Sequence, residues 1–430
     1  MDDHRANRFP IIPQATPPLV VERTEGVWLV RPDGRRILDA GGGAIVTNIG
    51  HGRQDVVDVA AAALSNIDYV LPIWATENRV ALIEELTEHW LPPGFTQAAF
   101  FSGGSESVDA AVRLARTYHV AKGQSGRWKV IGRDVSYHGS TLSGLSVGNH
   151  DRRRAGLEPI LHDHPKSDWL DVESFAKVVE REDPATIAAF IGEPISGASG
   201  AAMVPPPDYW RAIEEVCRAH DIVLIVDEVM TGFGRTGRTW GFEHFDITPD
   251  IIVGGKGLAG GYAPMGGVFT TRSIVDPIAS AGLGLMYFTF SGADLGCAVS
   301  HKVLQILRED EMIARAAKMG NRLRNRLEAE LGDHPNVADI RGLGLLQGIE
   351  LVRSTETGEP FPHSAEFAAS VAAEALERGL WLYPCGSGPV VDGLLFGPPY
   401  TIDDDHIELI VSVTSAAITA AAAKQRTPRT

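Results

Sequence analysis

Lys256 stands in the segment PDIIVGGKGLAGGYAPMGGVF, just past the apolar run Ile251-Ile252-Val253 and inside a cluster of glycines. Such a run reads as a short buried strand. A lysine at its end, among residues too small to crowd it, suits an amine that reaches into a site and forms a Schiff base. Desolvation or neighbouring charge would lower its pKa for that task. A solvated loop lysine is the ordinary alternative, and this segment alone does not separate the two.

Two carboxylates occupy comparable places. Asp227 follows the apolar run 222–226, and Glu193 follows the run 187–191. Ligands of parallel sheets sit beyond the carboxyl ends of the strands. A carboxylate that ends an apolar strand needs a partner, because burying it unpaired is costly. For Asp227 a protonated pyridine nitrogen is a fitting partner, since that protonation makes pyridoxal phosphate an electron sink. A structural salt bridge or a helix cap would satisfy the same need. Ser102-Gly103-Gly104-Ser105 lies between a strand and a helix. Glycines there let the backbone approach an anion, and the helix start offers free N–H groups. Ser105 adds a hydroxyl, or caps its own helix. Tyr137-His138-Gly139 follows another strand-like stretch, where an aromatic side chain would cover a flat ring.

The elements that must position these residues alternate. KVIGR, TIAAFIGEP, IVLIVDEV and DIIVGG are short apolar runs, several separated by helical patterns such as DYWRAIEEVCRAHD. That alternation predicts crossover units and a mostly parallel sheet. VWLVRPDGRRILDA predicts a hairpin around Asp33-Gly34. Helices are expected over 54–65, over 76–90, from about Ser105 with Val108, Ala111, Val112 and Ala115 on one face, and near 365–378. One long helix is expected over 301–331. The division expected is an N-terminal arm with strands of a small domain (1–60), a large cofactor-binding domain (61–305) and a C-terminal small domain (306–430).

The bulk numbers narrow the function. The chain has 430 residues, 44% apolar and 22% charged, as in ordinary globular proteins. A formal net charge of -16 argues against nucleic acid or an anionic membrane as partner. Three cysteines (Cys217, Cys297 and Cys385) offer no disulfide framework, which fits a cytoplasmic location. The N-terminal stretch does not read as a signal peptide, and no 18-residue window is continuously apolar, so no membrane span is expected. The tail KQRTPRT is expected to fray.

Taken in order, FFSGGSESVDAAVRLAR, SYHGSTLSGLSV, GEPISGASG, LIVDEVMTGFGRTG, PDIIVGGKGLAGGYAPMGGV and FTFSG resemble the class III (omega-type) aminotransferases. These are pyridoxal-phosphate enzymes of fold type I, and the resemblance runs over roughly residues 20 to 420. It implies an α/β fold: a large domain with a mostly parallel central sheet flanked by helices, plus a smaller α+β domain. It also implies that Lys256 forms the Schiff base and shuttles the proton, and that Asp227 pairs with the pyridine nitrogen. By the same likeness Tyr137 stacks on one ring face, Val229 packs on the other, and Gly104 and Ser105 bind the phosphate. Glu193 and His138 would support the ring site. Thr289 matches a threonine that reaches the phosphate of a neighbouring subunit. A homodimer or a dimer of dimers is therefore implied, with sites at the interface.

The chain also departs from the family pattern. Members that use 2-oxoglutarate carry a gating glutamate five positions after the Glu-Pro glutamate; here that residue is Ala198. They also carry an arginine shortly before the C-terminal Pro-Pro pair, and no arginine occurs here between Arg378 and Arg426. Losing that arginine removes strong charge-assisted hydrogen bonds to a carboxylate. The expected substrates are thus an amine or omega-amino acid donor and a small 2-oxo acid acceptor, pyruvate before 2-oxoglutarate. An arginine of the run Arg152-Arg153-Arg154 is a substitute, although such runs are more often solvated. His-Pro, usual after FTFSG, is replaced by Ala293-Asp294. Trp74, with Ile45, Val46 and Tyr69, is expected in the substrate pocket, or else in core or interface.

Other readings fit parts of the sequence. A racemase, epimerase or decarboxylase would need the same lysine and electron sink. Gly232-Phe233-Gly234-Arg235-Thr236-Gly237 matches a dinucleotide fingerprint literally, but no helix is expected after it. A DNA-binding regulator would need an appended domain and a basic surface. His162-Asp163-His164 lacks further metal ligands at a matching spacing, so no metal is expected.

Overall fold

A computed structural model gives the fold of residues 19–284 and 287–426. The expectations for the arm at 1–18 and for the tail at 427–430 fall outside these residues. The start of the tail, Lys424 to Arg426, continues the last helix, Asp404–Arg426, and so is not frayed.

The first strands are β1 (Arg23–Glu25), β2 (Trp28–Val30) and β3 (Arg36–Asp39). β2 and β3 pair antiparallel, with Val30 opposite Arg36, as the Asp33-Gly34 signal predicts. Gly34 takes φ +82, and the Arg35 N–H donates to Asp33 Oδ1 at 3.1 Å.

Seven strands form the central sheet. They are β4 (Phe95–Phe101), β5 (Lys129–Arg133), β6 (Lys166–Ser167), β7 (Ile187–Gly192), β8 (Val223–Asp227), β9 (Ile251–Gly254) and β10 (Gly266–Thr271). Their spatial order is β4-β10-β9-β8-β7-β5-β6. Neighbours from β9 to β6 run parallel, and β10 runs antiparallel to both β9 and β4. β7, β8 and β9 are buried throughout, which explains their unbroken apolar sequences. Successive side chains still go to opposite faces. Ile191, Ile225 and Val253 pack with Val108, Ala111 and Ala115 of the helix Gly104–Ala121. Phe190, Leu224 and Ile252 join the other core with Phe175, Trp210 and Ile213.

The remaining strands are β11 (Val337–Leu343), β12 (Leu346–Leu351), β13 (Leu380–Trp381), β14 (Tyr383–Ser387) and β15 (Val390–Phe396). Four of them make an antiparallel sheet in the order β11-β12-β15-β14. β13 instead pairs parallel with β3, so the N-terminal strands and the C-terminal segment share a sheet.

The single helix expected over 301–331 is in fact two, Asp294–Glu309 and Met312–Leu331. Glu311 breaks it, with φ +50. The acidic run Glu309-Asp310-Glu311 explains the break. Negative charge is favourable before a helix start and unfavourable at the end of one.

One helix, Asp404–Gln425, is long and apolar enough to cross a membrane by length and composition. Here its Ile407, Ile410, Val411 and Ile418 are buried, and it packs on the helices Phe367–Glu377 and Met312–Leu331. Arg322 and Arg326 pair with its Asp404 and Glu408.

Candidate active site

The carboxyl ends of β7, β8 and β9 are neighbours in the sheet, and each delivers one of the residues singled out from the sequence. Glu193 follows β7, Asp227 ends β8, and Lys256 lies just beyond β9. With Gly104, Ser105, Tyr137, His138 and Val229 they line one cavity of about 170 Å³. Val108, Gly139, Met230 and Thr231 complete its wall.

Lys256 opens a short turn, Lys256–Leu258, with φ +41. A non-glycine residue in the left-handed region costs on the order of 1–3 kcal/mol and is kept only where the surroundings hold it. Two hydrogen bonds do so here. The Gly260 N–H donates to the Lys256 carbonyl at 3.0 Å, and Asn48 Nδ2 donates to the Gly257 carbonyl at 2.8 Å. Burial pushes the Lys256 amine down to about 8, against the pull of Asp227 and Glu193. Its neutral, nucleophilic form is therefore accessible near neutrality.

Asp227 is buried and carries two contacts. Oδ2 lies 2.7 Å from His138 Nδ1, and Oδ1 accepts from the Val229 N–H at 3.1 Å. Glu193 is buried as well. Its Oε2 accepts from the Tyr137 N–H at 3.2 Å and its Oε1 from the Gly197 N–H at 3.1 Å. Burial raises its pKa, with His138 and Arg133 opposing. Glu193 therefore fixes the backbone that carries Tyr137.

The glycine turn after β4 leads into the helix Gly104–Ala121, whose cap residue, Gly103, has no side chain to satisfy the first N–H groups. The alternative in which Ser105 caps this helix is not observed. Ser105 lies inside the first turn, and its hydroxyl accepts from the Ser140 N–H at 3.1 Å. Two glycines keep the cradle open. A Cβ on Gly104 would come within 2.8 Å of Val229 Cγ1, and one on Gly139 within 2.6 Å of Ser105 Oγ. Gly139 also has φ +106, which side-chain-bearing residues rarely adopt.

Other expected residues lie elsewhere. Thr289 is exposed and not among the residues that line the cavity. Tyr69 and Trp74 are exposed as well, at 41% and 55%. Tyr69 meets the ring of Phe290 edge-on rather than the cavity. Val46 is half-buried near Gly261, and Ile45 is packed against Gly397. None of these four belongs to the cavity wall within one chain. Trp74 is therefore not a core residue of a single chain, and it does not line this cavity within one chain.

The literal dinucleotide fingerprint is a series of turns, and its Arg235 is buried. Arg235 donates to the carbonyls of Thr47 (2.8 Å), Leu345 (3.2 Å) and Pro398 (2.7 Å). Among the described residues no cluster suits a metal ion.

Sequence reasoning missed several wall residues. Met230 and Thr231 directly follow Val229, so their place on the β8 turn was the available signal. Tyr383, which lies beside Arg153 rather than in this wall, was not visible either, since only the fold brings β14 here. The Gly386 N–H donates to the Ala198 carbonyl at 2.9 Å, and the Ser387 N–H to the Ser199 carbonyl at 3.1 Å.

Comparison with known proteins shows the family. The family model for aminotransferase class-III matches residues 11–418. The chain is 32% identical to the putrescine–pyruvate aminotransferase of Pseudomonas aeruginosa, over 94% of this chain and 91% of that one. It is 32% identical to an omega-aminotransferase of Caulobacter vibrioides, over 92% of each. The crystal structure of an (S)-enantioselective omega-transaminase from Thermomicrobium roseum matches with a TM-score of 0.90 at 33% identity, over 96% of each chain. The chain belongs to the class III aminotransferases, which are pyridoxal-phosphate-dependent transaminases with the α/β architecture of fold type I.

Proposed function

We propose that the protein moves an amino group from an amine or omega-amino acid to a small 2-oxo acid, with pyruvate preferred to 2-oxoglutarate. The observation that carries this reading is the meeting of Lys256, Asp227 and Glu193 at three adjacent strand ends around one cavity. The missing Glu–Arg pair at Ala198 and before Pro398-Pro399 favours the smaller acceptor. The relative named putrescine–pyruvate aminotransferase supports the same pairing of substrates.

Pyridoxal phosphate fits these residues. The uncapped helix start at Gly104 and the Ser105 hydroxyl suit a phosphate. Asp227, held by His138, suits a protonated ring nitrogen, and Tyr137 and Val229 would flank the ring. When bound, the cofactor supplies a carbonyl for amine exchange and a ring that withdraws electrons from the substrate carbon. The chain's own residues supply the rest. The Lys256 amine would hold the cofactor, and once free it would take and return the proton at the substrate carbon. Asp227 keeps negative charge where the ring needs it. Glu193 holds the Tyr137 backbone in place.

The same reading makes the active unit a homodimer in the cytoplasm, with Thr289 serving the site of the other subunit. The test is the visible absorbance of the holoenzyme with a panel of amines and omega-amino acids, without acceptor. Bleaching by a donor and return of the band with pyruvate is the expected result. A persistent band, with the amino acid epimerised or decarboxylated, would overturn the transaminase assignment.

A further inference from the structure

We infer that Arg153 is the residue that grips a substrate carboxylate at the mouth of the Lys256 cavity, in place of the arginine absent from the C-terminal segment. The inference rests on the transaminase reading above and narrows it to carboxylate-bearing substrates.

Arg153 belongs to the short helix Asp151–Arg154. Its guanidinium carbon lies 4.5 Å from the centroid of the Tyr137 ring. Its Nη1 is 3.5 Å from the Tyr137 hydroxyl, and its Nη2 is 3.3 Å from the Tyr383 hydroxyl. Tyr137 lines the cavity, and Arg153, not itself among the lining residues, lies against it. The other two arginines of the run are placed differently. Arg154 donates to the Gly148 carbonyl at 2.7 Å and to Asn149 Oδ1 at 3.0 Å, a bracing role. Arg152 is exposed.

Arg153 has no carboxylate partner among the described residues, whereas Arg218, Arg322, Arg326 and Arg341 are each paired. Guanidinium stays charged at any working pH. Its contacts here are long and go to neutral hydroxyls. A carboxylate arriving at the same fork makes shorter bonds of roughly twice the strength. Stacking on Tyr137 holds the guanidinium plane ready for it. Arg153 also contributes to lowering the Lys256 pKa, so its charge is felt inside the cavity.

The surrounding backbone keeps this arrangement fixed. The Asp151 N–H donates to Ser387 Oγ at 3.0 Å, tying the short helix to β14, which carries Tyr383. β14 is in turn held against Ala198 and Ser199. At position 198 the small side chain is buried and places no acid near the guanidinium. Arg153 is therefore not neutralised between substrates. An amino donor carrying a distant carboxylate, and a 2-oxo acid acceptor, would each meet the same anchor.

The test compares Arg153→Gln and Arg153→Lys holoenzymes with the wild type. The donors are 4-aminobutyrate and n-butylamine, which differ by the carboxylate alone. Butyrate, which has no amine, serves as an unreactive probe whose binding is followed by calorimetry. In Arg153→Gln, KM for 4-aminobutyrate should rise ~10–100-fold, as expected for loss of hydrogen bonds to a charged group, with kcat changed far less. Butyrate binding should weaken to match, butylamine should lose less than ~3-fold, and Arg153→Lys should recover part of the loss. Equal losses for both donors would make Arg153 a prop for Tyr137 and overturn the inference. Butyrate binding that is absent in the wild type, or unchanged in Arg153→Gln, would overturn it as well, even in a protein that turns over neither donor. Failure of the wild type to transaminate any donor would sink the proposed function instead.

Discussion

His138 Nδ1 and Asp227 Oδ2 are 2.7 Å apart, and both residues are buried. The pair fixes where the Asp227 charge points, while the second oxygen is held by the Val229 N–H. Replacing Asp227 with asparagine keeps the shape and removes the charge. Turnover should fall ~100-fold or more, the scale seen when a group aimed at developing charge is lost. Cofactor should still bind, because the glycine cradle and Lys256 are intact. Single-turnover bleaching with a donor measures this directly. Near-normal rates in Asp227→Asn would remove the charge from the mechanism.

The Lys256 amine gives a pH signature. Burial disfavours the charged form of an amine, so its pKa moves down, from 10.5 to about 8. Only the neutral amine attacks a carbonyl. Its fraction rises ~10-fold per pH unit below 8 and levels off above. Capture of pyridoxal phosphate by cofactor-free protein, followed by absorbance, should climb to pH 8 and then plateau. A rate still climbing at pH 10 would show an ordinary lysine. Lys256→Ala should show no such capture and no turnover, with the circular dichroism spectrum of the fold retained.

Gly139 has both a positive φ and a close neighbour, Ser105. Gly139→Ala should cost ~1–3 kcal/mol of stability and should also weaken the hold on pyridoxal phosphate. Gly123 is a useful control. Its φ is +78, but nothing lies within 4 Å of an added Cβ. Gly123→Ala should lower thermal stability while leaving cofactor affinity intact. If both variants bind the cofactor like the wild type, the cradle is more tolerant than its geometry implies.

Ile73 and Phe290 are 76% and 61% exposed, near Trp74 and Tyr287 at 55% and 56%. Apolar side chains this exposed in neighbouring segments mark an association surface. Sedimentation should give twice the chain mass or a multiple of that. Ile73→Asp combined with Phe290→Asp should shift the protein toward a single chain and lower activity, if Thr289 serves the opposite site. A wild-type chain that sediments alone and is fully active would refute the shared site.

The strand-end residues were legible because their signal is local. An apolar run followed by Lys256, Asp227 or Glu193 shows both the strand and where it stops. The hairpin at Asp33-Gly34 was legible for the same reason. Periodicity could not show the break at Glu311, since the apolar pattern continues on both sides of it. The surroundings of Trp74 and Tyr69 were not legible, because an aromatic looks alike in sequence whether it faces a pocket, a core or an exposed surface. Arg153 was flagged only as one of three, and its pairing with Tyr383 joins positions 230 apart in the chain. Such contacts depend on how the C-terminal sheet returns to the cavity, which no window of sequence records.

Arg235 gathers carbonyls from Thr47, Leu345 and Pro398, and its charge also bears on Lys256. This clasp has an implication for biosynthesis. Lys256 leaves the ribosome well before Pro398, yet the clasp closes only when Pro398 has emerged. During synthesis Lys256 is therefore present before its surroundings are complete. A nascent chain cut short before Pro398 would carry every strand-end residue of the site without the frame that holds them.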